Sequence, residues 1–399
     1  MGTGMTGDGA FVRAKRGRAT WIQKEENVRL NYTKNVGVKT MIIDSHAHIF
    51  PYLGAGKEAG FSSAEEHLKY SQRLIHKHVA QPVRRKSDNS AVQKETLWDP
   101  TDSTEAGRYN VNFRVGKYGR YEWTMDGVDY YCQFMPPSLQ DMTAPPELLK
   151  TMLDHAGVGK AVLQCGTIYG KLNLYYSKAL EEFRDTFIPL ASLEETEAYT
   201  DEGIQGLRES ILSLGLRGLW FWATETSFSS RYDAFWSEAV SLGIPVFMFL
   251  FPVKPTFFAL LRCLGEWKVK YPKLECVIPQ AFPIDVIRKN NRFSIPRDIQ
   301  DVISMDKILI ELAYPISQGG KEDYPFPISQ EAVHILYDTF GARKMVWGSD
   351  APNVERFCTY AQSLNYLKKY CDFMSEQDKH MILGENLAEL FGVKAEKQG

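Results

Sequence analysis

The sequence lacks several features that would assign it to a specialised class of protein. Its six cysteines are scattered along 399 residues without a Cys-x-x-Cys pair, which indicates reduced thiols in a cytoplasmic protein. No apolar run approaches the roughly 18 residues that a membrane span needs. The formal net charge of −2 disfavours a nucleic-acid partner. We therefore predict a cytoplasmic protein with a small-molecule substrate and with no nucleic-acid or membrane partner.

The first 40 residues differ in composition from the rest of the chain. They begin with a Gly- and Thr-rich stretch, and Arg13 to Arg18 form a basic cluster without the apolar segment of a secretory signal. We predict that residues 1–40 are a poorly ordered extension, or that Met41 is an alternative natural start. Residues 394–399 are expected to be a tail, which leaves residues 41–393 for the folded domain.

Strand-like and helix-like patterns alternate through most of the chain. Repeated strand–helix units imply parallel strands, and eight of them imply a closed (β/α)8 TIM barrel within the α/β class. An open doubly wound sheet is the alternative, but no Gly-x-Gly-x-x-Gly follows any predicted strand. The predicted strands are 41–44, 160–165, 187–193, 216–222, 244–249, 274–279, 308–312 and 344–347.

A long insertion at residues 50–143 separates the first two strands. The capping-box pattern Ser63-Ala-Glu-Glu66 predicts the start of a helix, and the alternating residues 112–126 predict a β-hairpin. An insertion after strand one lies at the carboxyl end of the barrel, where active sites are built. The insertion is expected to form a lid or pocket wall, with a dimerisation arm as the alternative.

Two histidines follow the first strand, in the segment Ile43-Asp-Ser-His-Ala-His48. Residues two apart on a strand point to the same side, so His46 and His48 can both face one metal ion. Two solvent-facing histidines at a strand end are the alternative. Asp350 ends the eighth strand in Trp347-Gly-Ser-Asp-Ala-Pro352, at the same end of the barrel. Its carboxylate can bind a metal and can also take a proton from a water molecule.

These segments resemble the amidohydrolase superfamily, in the amidohydrolase-related branch of metal-dependent hydrolases and aromatic-acid decarboxylases. The matching pieces are 43–48, 154–158, 216–219, 244–246, 346–352 and 382–391. The resemblance implies a (β/α)8 barrel with a divalent metal, often zinc, and frequently a homodimer. It implies that His46, His48 and Asp350 bind the metal and are the catalytic residues, with Asp350 orienting or deprotonating a water.

Two histidines that the resemblance leads one to expect are missing. The chain has eight histidines, and none lies between His155 and His334, where strands three to six fall. The usual histidines after strands five and six are replaced by Phe249 and Gln280. Glu311, a carboxylate in an otherwise apolar strand, needs a partner and is the predicted further metal ligand. A salt bridge inside the barrel is the alternative for Glu311.

Aromatic residues crowd the predicted ends of strands four and five. Trp220, Trp222 and Phe249 can form a flat slot for an aromatic ring, or they can pack in the barrel core. Arg217 can pair with a substrate carboxylate through two hydrogen bonds, or form a salt bridge at a strand edge. Together with Gln280, these residues are the predicted substrate-binding set.

Three functions are compatible with this pattern. The first is metal-dependent hydrolysis of a small cyclic or aromatic carboxylate-type substrate through a metal-activated water. The second is non-oxidative decarboxylation of an aromatic acid at the same site. The third is a metal-free, degenerate barrel with a binding role. Metal content and product analysis separate the three.

Overall fold

Parallel strands joined by helices dominate the computed structural model. It describes residues 41–78, 82–92, 95–102, 104–253, 255–290, 292–316 and 319–393. The predicted extension at residues 1–40 and the predicted tail at residues 394–399 lie outside the described residues. Within the described part of the chain, no helix combines the length and apolar character that crossing a membrane requires.

Eight strands of the described chain correspond to the eight predicted from the sequence. Each apolar run is followed by a helix, so consecutive strands point the same way. The third strand consists of two pieces separated by Leu190. The strands are β1 Ile43–Ala47, β2 Lys160–Leu163, β3 Phe187–Pro189 with Ala191–Ser192, β4 Leu219–Ala223, β5 Val246–Leu250, β6 Cys276–Ile278, β7 Ile308–Leu312 and β8 Met345–Trp347.

These strands pair in parallel in two sheets that meet at both edges. One sheet has the order β1, β2 and the first piece of β3, and the other runs from the second piece of β3 through β4, β5, β6 and β7 to β8. At the other edge, the amide of His48 donates to the carbonyl of Ala351 over 2.7 Å, and the amide of Asp350 donates to His46 over 2.8 Å. The predicted parallel α/β fold is confirmed, and its strands surround a common interior.

Proline and glycine mark the ends of one of the helices that follow the strands. Pro146 opens the helix after the insertion, and Gly157 ends it in the left-handed conformation at φ 71°. The last helical part of the described chain consists of three segments, the middle one with π-helical hydrogen bonds. The helices are Ala64–His78, Pro146–Ala156, Asn173–Phe183, Glu195–Ala198, Asp201–Leu212, Asp233–Leu242, Thr256–Lys270, Ile284–Ile287, Arg297–Ser304, Pro327–Phe340, Tyr360–Tyr370, Glu376–His380, Met381–Glu385 and Asn386–Phe391.

The insertion forms more than the predicted helix and hairpin. Its helix Ala64–His78 is accompanied by a four-stranded antiparallel sheet. The tight turn falls at Asp126 and Gly127, so the hairpin joins Arg120–Met125 to Val128–Gln133 rather than lying within residues 112–126. In sheet order, the strands are Val83–Arg85, Val128–Gln133, Arg120–Met125 and Arg114–Val115.

The interior of the barrel has an apolar lower layer and a polar and aromatic upper layer. The lower layer packs against Leu387 and Phe391 of the last helix, which lies beneath the amino ends of the strands. Its strand residues are Ile43, Val162, Ile188, Trp220, Phe247, Val277 and Val346. Side chains alternate along a strand, so the residues two positions further on form the next layer. That layer contains Gln164, Trp222, Phe249 and, from β7, Glu311.

Candidate active site

The imidazole rings of His46 and His48 lie side by side at the carboxyl end of β1. Their Nε2 atoms are 3.1 Å apart, and His48 Nε2 lies 3.0 Å from Asp350 Oδ1. The same Asp350 oxygen is 3.9 Å from His46 Nε2. All three residues are at least 95% buried. One nitrogen of each histidine and one oxygen of Asp350 therefore point to a common position.

The opposite nitrogen of each ring is held by an oxygen acceptor. His48 Nδ1 lies 2.6 Å from the carbonyl oxygen of Gln164, and His46 Nδ1 lies 2.7 Å from Glu311 Oε1. Because carbonyl and carboxylate oxygens only accept, each Nδ1 must carry the hydrogen. A ring that is neutral then directs its Nε2 lone pair toward Asp350. With both rings neutral, three acceptors face one another, an arrangement that either a proton on His46 or a metal ion satisfies.

These three donor atoms fit a divalent metal ion. All lie within 4.8 Å of one another, and two imidazoles with one carboxylate leave a fourth position open for water or substrate. Acceptors behind the ligating histidines orient the rings and raise their basicity, as in known metal sites. Among the described residues, Glu311 is not part of this group.

Glu311 instead accepts hydrogen bonds behind His46. Its Oε1 lies 2.7 Å from His46 Nδ1 and accepts from the backbone amide of Gln280 over 3.0 Å. Its Oε2 accepts from Ser45 Oγ and from Gln164 Nε2, each over 2.8 Å. The carboxylate is fully buried, and four donors surround it. Glu311 therefore orients His46, and both of its oxygens are engaged away from the group of three.

Two side-chain amides hold the Asp350 carboxylate in place, and one backbone hydrogen bond fixes its main chain. Asn353 Nδ2 donates to Oδ1 over 2.7 Å, and Gln280 Nε2 donates to Oδ2 over 2.9 Å. Asp350 has a left-handed backbone at φ 60°, stabilised by the bond from its amide to His46 O over 2.8 Å. Positive φ at a non-glycine residue costs energy and is found preferentially at functional sites.

The charges around the three residues shift their protonation equilibria. Burial by itself lowers the pKa of His46, but the carboxylates of Glu311 and Asp350 outweigh it and raise that pKa to about 9. Burial by itself raises the pKa of Asp350, but His46, His48 and Asn353 lower it below the usual value. Asp350 is therefore ionised at neutral pH, and the surroundings attract positive charge, whether a proton or a metal ion.

A second buried carboxylate ties β1 to β8 next to the site. Asp44 accepts from the amides of His46 and Ser349 over 3.0 and 2.9 Å, and from the hydroxyl groups of Ser349 and Tyr360 over 2.6 and 2.9 Å. Burial raises its pKa to about 6 despite these bonds. Asp44 thus fixes the backbone on both sides of the three metal-facing residues.

An aromatic cavity of about 260 Å³ opens above the group of three. Trp222 meets Phe249 edge to face with ring centroids 5.2 Å apart, and Trp220 packs on Phe249 at 6.1 Å. Phe134, from the insertion, closes another side of the cavity. No lysine or arginine occurs among the described residues that line it. The cavity can therefore accept a small flat ring beside the metal-facing atoms.

The structure brings most of the predicted site residues together. His46, His48, Asp350, Gln280, Phe249, Trp220 and Trp222 all line this cavity. Arg217 does not, because β4 begins at Leu219 and Arg217 precedes it at the amino end of the barrel. There its Nη2 donates to the carbonyl of Phe391 over 2.8 Å. The prediction that Arg217 binds substrate is corrected accordingly.

Several residues of the site were not predicted. Asn353 lies three positions after Asp350, a spacing that could have suggested a contact in the turn after β8. Tyr169 lies in the short 3-10 helix after β2, and its ring stacks on Phe50 at 4.7 Å. Gln164 directly follows β2 and donates to Glu311, and the alternation along strands could have placed it inside the barrel.

Parallel strands that present two histidines and an aspartate at their carboxyl ends form an arrangement that suits a divalent metal ion. The sequence pattern of the Amidohydrolase family matches residues 43–393, so the chain belongs to this family. Among curated proteins, no relative matches the sequence.

Solved structures are similar to this chain at low sequence identity. A probable 2-pyrone-4,6-dicarboxylic acid hydrolase from Acinetobacter baumannii, with citric acid bound, is 15% identical and has a TM-score of 0.52. The comparison covers 88% of this chain and 99% of that one. A 2,6-dihydroxybenzoate decarboxylase from Rhizobium is 13% identical over 63% of this chain and 90% of its own, with a TM-score of 0.49. A dihydroxybenzoic acid decarboxylase from Polaromonas sp. JS666, with bound manganese and 2-nitroresorcinol, is 14% identical over 64% and 89%, with a TM-score of 0.47.

Proposed function

We propose that the protein is a metal-dependent hydrolase that acts on a small cyclic or aromatic substrate carrying a carboxylate. The observation that supports this most directly is the convergence of His46 Nε2, His48 Nε2 and Asp350 Oδ1 within 4.8 Å beneath an aromatic cavity. With both rings neutral, these atoms are three buried acceptors, which a bound cation stabilises. Membership of the Amidohydrolase family agrees with this reaction class.

The chain's own residues supply binding and proton transfer. A divalent metal ion at this position would lower the pKa of a water molecule and polarise a substrate carbonyl. Asp350 accepts the proton of the attacking water, since His46 and His48 hold its carboxylate in the ionised form. Gln280 and Asn353 keep that carboxylate in one orientation. Phe134 and the aromatic walls exclude bulk water from the reacting groups.

The cavity limits the substrate to one ring and favours a single negative charge. Its volume of about 260 Å³ holds one substituted ring, and the faces of Trp220 and Phe249 suit a planar group. One carboxylate of the substrate can be compensated by the metal. No lysine or arginine lies on the described lining, but the largely buried guanidinium of Arg356 interacts electrostatically with Asp350 and Tyr169, which do line it. We favour a monocarboxylate, whose one charge the metal compensates.

The metal and the compartment complete the proposal. Two nitrogens, one carboxylate oxygen and an open position suit zinc. All six cysteines are free thiols, which supports a reducing compartment such as the cytoplasm. The homodimer remains a prediction, and light scattering of the purified protein would test it.

Metal analysis of the purified protein tests the proposal. We expect one equivalent of divalent metal in the wild type, and less than a tenth of that in His48→Ala. His155→Ala removes an exposed histidine from the helix Pro146–Ala156 and serves as the matched control. Wild-type protein that stays metal-free after incubation with zinc would contradict the proposal and favour the metal-free binding role.

Product analysis separates hydrolysis from decarboxylation. The aromatic walls suit an aromatic acid as well as a lactone or a cyclic amide, so non-oxidative decarboxylation is the second candidate. We would assay ring opening of lactones and cyclic amides, and carbon dioxide release from hydroxybenzoates, in parallel. Carbon dioxide release without any ring opening would replace hydrolysis by decarboxylation.

A further inference from the structure

The side-chain amide of Asn353 has a fixed orientation. Its Nδ2 donates to Asp350 Oδ1 over 2.7 Å, and a carboxylate oxygen can only accept. The same Nδ2 donates to the hydroxyl oxygen of Tyr169 over 2.6 Å. The other amide atom, Oδ1, is buried and has no hydrogen-bond partner among the described residues. Since the side chain is 93% buried and lines the cavity, this acceptor is costly unless a ligand donates to it.

The hydroxyl group of Tyr169 provides the complementary atom. Burial raises the pKa of this phenol well above its ordinary value, so the oxygen keeps its hydrogen at any physiological pH. The oxygen accepts from Asn353, while its hydrogen has no acceptor among the described residues. Tyr169 also lines the cavity, and its ring is held by stacking on Phe50 at an interplanar angle of 6°. The donor is therefore preorganised.

We propose that Tyr169 and Asn353 form a neutral recognition pair for the substrate. The Tyr169 hydroxyl donates to a substrate group, and Asn353 Oδ1 accepts from the same group. A ring hydroxyl or a primary amide both accepts and donates in this way, whereas an ether accepts only. The pair lies beside Asp350, so it places that group next to the metal-facing atoms. This inference rests on the proposed function for its substrate, but its recognition chemistry stands on the geometry of the two side chains.

Binding of three simple rings tests the pair without knowledge of the substrate. Phenol donates and accepts a hydrogen bond, anisole only accepts, and toluene does neither. We expect the wild-type protein to bind phenol about tenfold more tightly than anisole, and both more tightly than toluene, by calorimetry or ligand-observed NMR. Equal affinity of phenol and toluene for the wild type would overturn the inference, with no variant needed.

The substitution Tyr169→Phe removes the hydroxyl and keeps the ring on Phe50. We expect it to weaken phenol and anisole binding about fivefold to tenfold while toluene binding stays the same. Tyr271→Phe removes the hydroxyl that donates to Asp233 at the surface, and this control should change none of the three affinities. An equal loss for all three rings would show a merely structural role, and no loss at all would show that phenol binds elsewhere.

Metal content distinguishes this inference from the proposed function. Tyr169→Phe should retain the wild-type metal stoichiometry, because Asn353 Nδ2 still donates to Asp350. If the protein binds phenol more tightly than anisole but binds no metal, the recognition pair is upheld and the hydrolase proposal is rejected. If the protein binds metal but does not distinguish phenol from anisole, the hydrolase proposal is upheld and the recognition pair is rejected.

Discussion

Replacing Glu311 by glutamine tests how the metal-facing histidines are held. The substitution Glu311→Gln keeps the shape of the side chain but exchanges one acceptor oxygen for an NH₂ group. If the remaining oxygen serves His46 and the Gln280 amide, the NH₂ group faces Ser45 and Gln164. The Ser45 hydroxyl can turn and accept. Gln164 Nε2 can only donate. In the variant it therefore faces the new NH₂ group of residue 311, where the wild type has a hydrogen bond of 2.8 Å from Gln164 Nε2 to Glu311 Oε2.

Turning the Gln164 amide does not remove this conflict. Its Nε2 also donates to the carbonyl of Ser45 over 2.7 Å, and the turned amide would place Oε1 against that carbonyl. One buried donor therefore stays unsatisfied, at a cost of about 1–3 kcal/mol in the free energy of unfolding. The lost negative charge also makes His46 a weaker ligand. Changes to residues that orient ligating histidines lower metal affinity about 10–100-fold.

Zinc affinity is measured by competition with a chelating dye, and stability by urea unfolding of the metal-free protein. Glu275→Gln is the matched control, since Glu275 is a partly exposed carboxylate paired with Lys307 over 2.7 Å. Wild-type zinc affinity in Glu311→Gln would refute the role that we assign to Glu311. A loss as complete as that in His48→Ala would show instead that Glu311 binds the metal directly.

Three further substitutions probe catalysis, packing and pH dependence. Asp350→Asn should lower kcat by about 10²–10⁴-fold on a substrate found by product analysis, with unchanged circular dichroism, because the proton acceptor is lost. Gly384→Ala should lower the urea midpoint clearly, since the added Cβ would lie 2.0 Å from the carbonyl oxygen of Met41; an unchanged midpoint would contradict this packing. Burial depresses the pKa of the His67 imidazole below 6.5. As the pH drops below about 6.5, His67 is protonated in the unfolded state before it is protonated in the folded state, so the free energy of unfolding decreases. In His67→Phe, which retains the stacking on Phe61, we expect a shallower fall between pH 6.5 and 5 in urea titrations, and an unchanged slope would argue against a buried neutral imidazole.

The strand pattern explains why much of the fold was predictable. Apolar runs of four to seven residues followed by amphipathic helices recur through the chain, and that periodicity alone indicates parallel strands. The placement of His46, His48 and Asp350 follows from it, because carboxyl ends of parallel strands meet at one face. The insertion was less predictable, since its sheet depends on pairing between Val83–Arg85 and Val128–Gln133, which are distant in sequence.

Side-chain direction explains what the sequence did not reveal. Arg217 was proposed as a substrate ligand because a guanidinium can pair with a carboxylate, but Arg217 precedes β4 and lies at the end of the strand opposite the cavity. Glu311 was recognised as a carboxylate in need of a partner. Whether that partner is a metal ion or Nδ1 of His46 depends on the orientation of the His46 imidazole ring, which the sequence does not specify. Asn353 and Tyr169 belong to connections whose course is set by packing rather than by a sequence period.

The hydrogen bonds between His46, His48 and the segment around Asp350 have a consequence for how the protein is made. His48 and Asp350 are 302 residues apart, so at ordinary rates of synthesis about 15–60 s separate their emergence from the ribosome. During that interval the outer edge of β1 has no strand beside it and is exposed to other nascent chains or chaperones. Metal ions cannot assist the early stages of folding, because the third ligand does not yet exist. In the proposed function, binding of the metal therefore has to follow completion of β8.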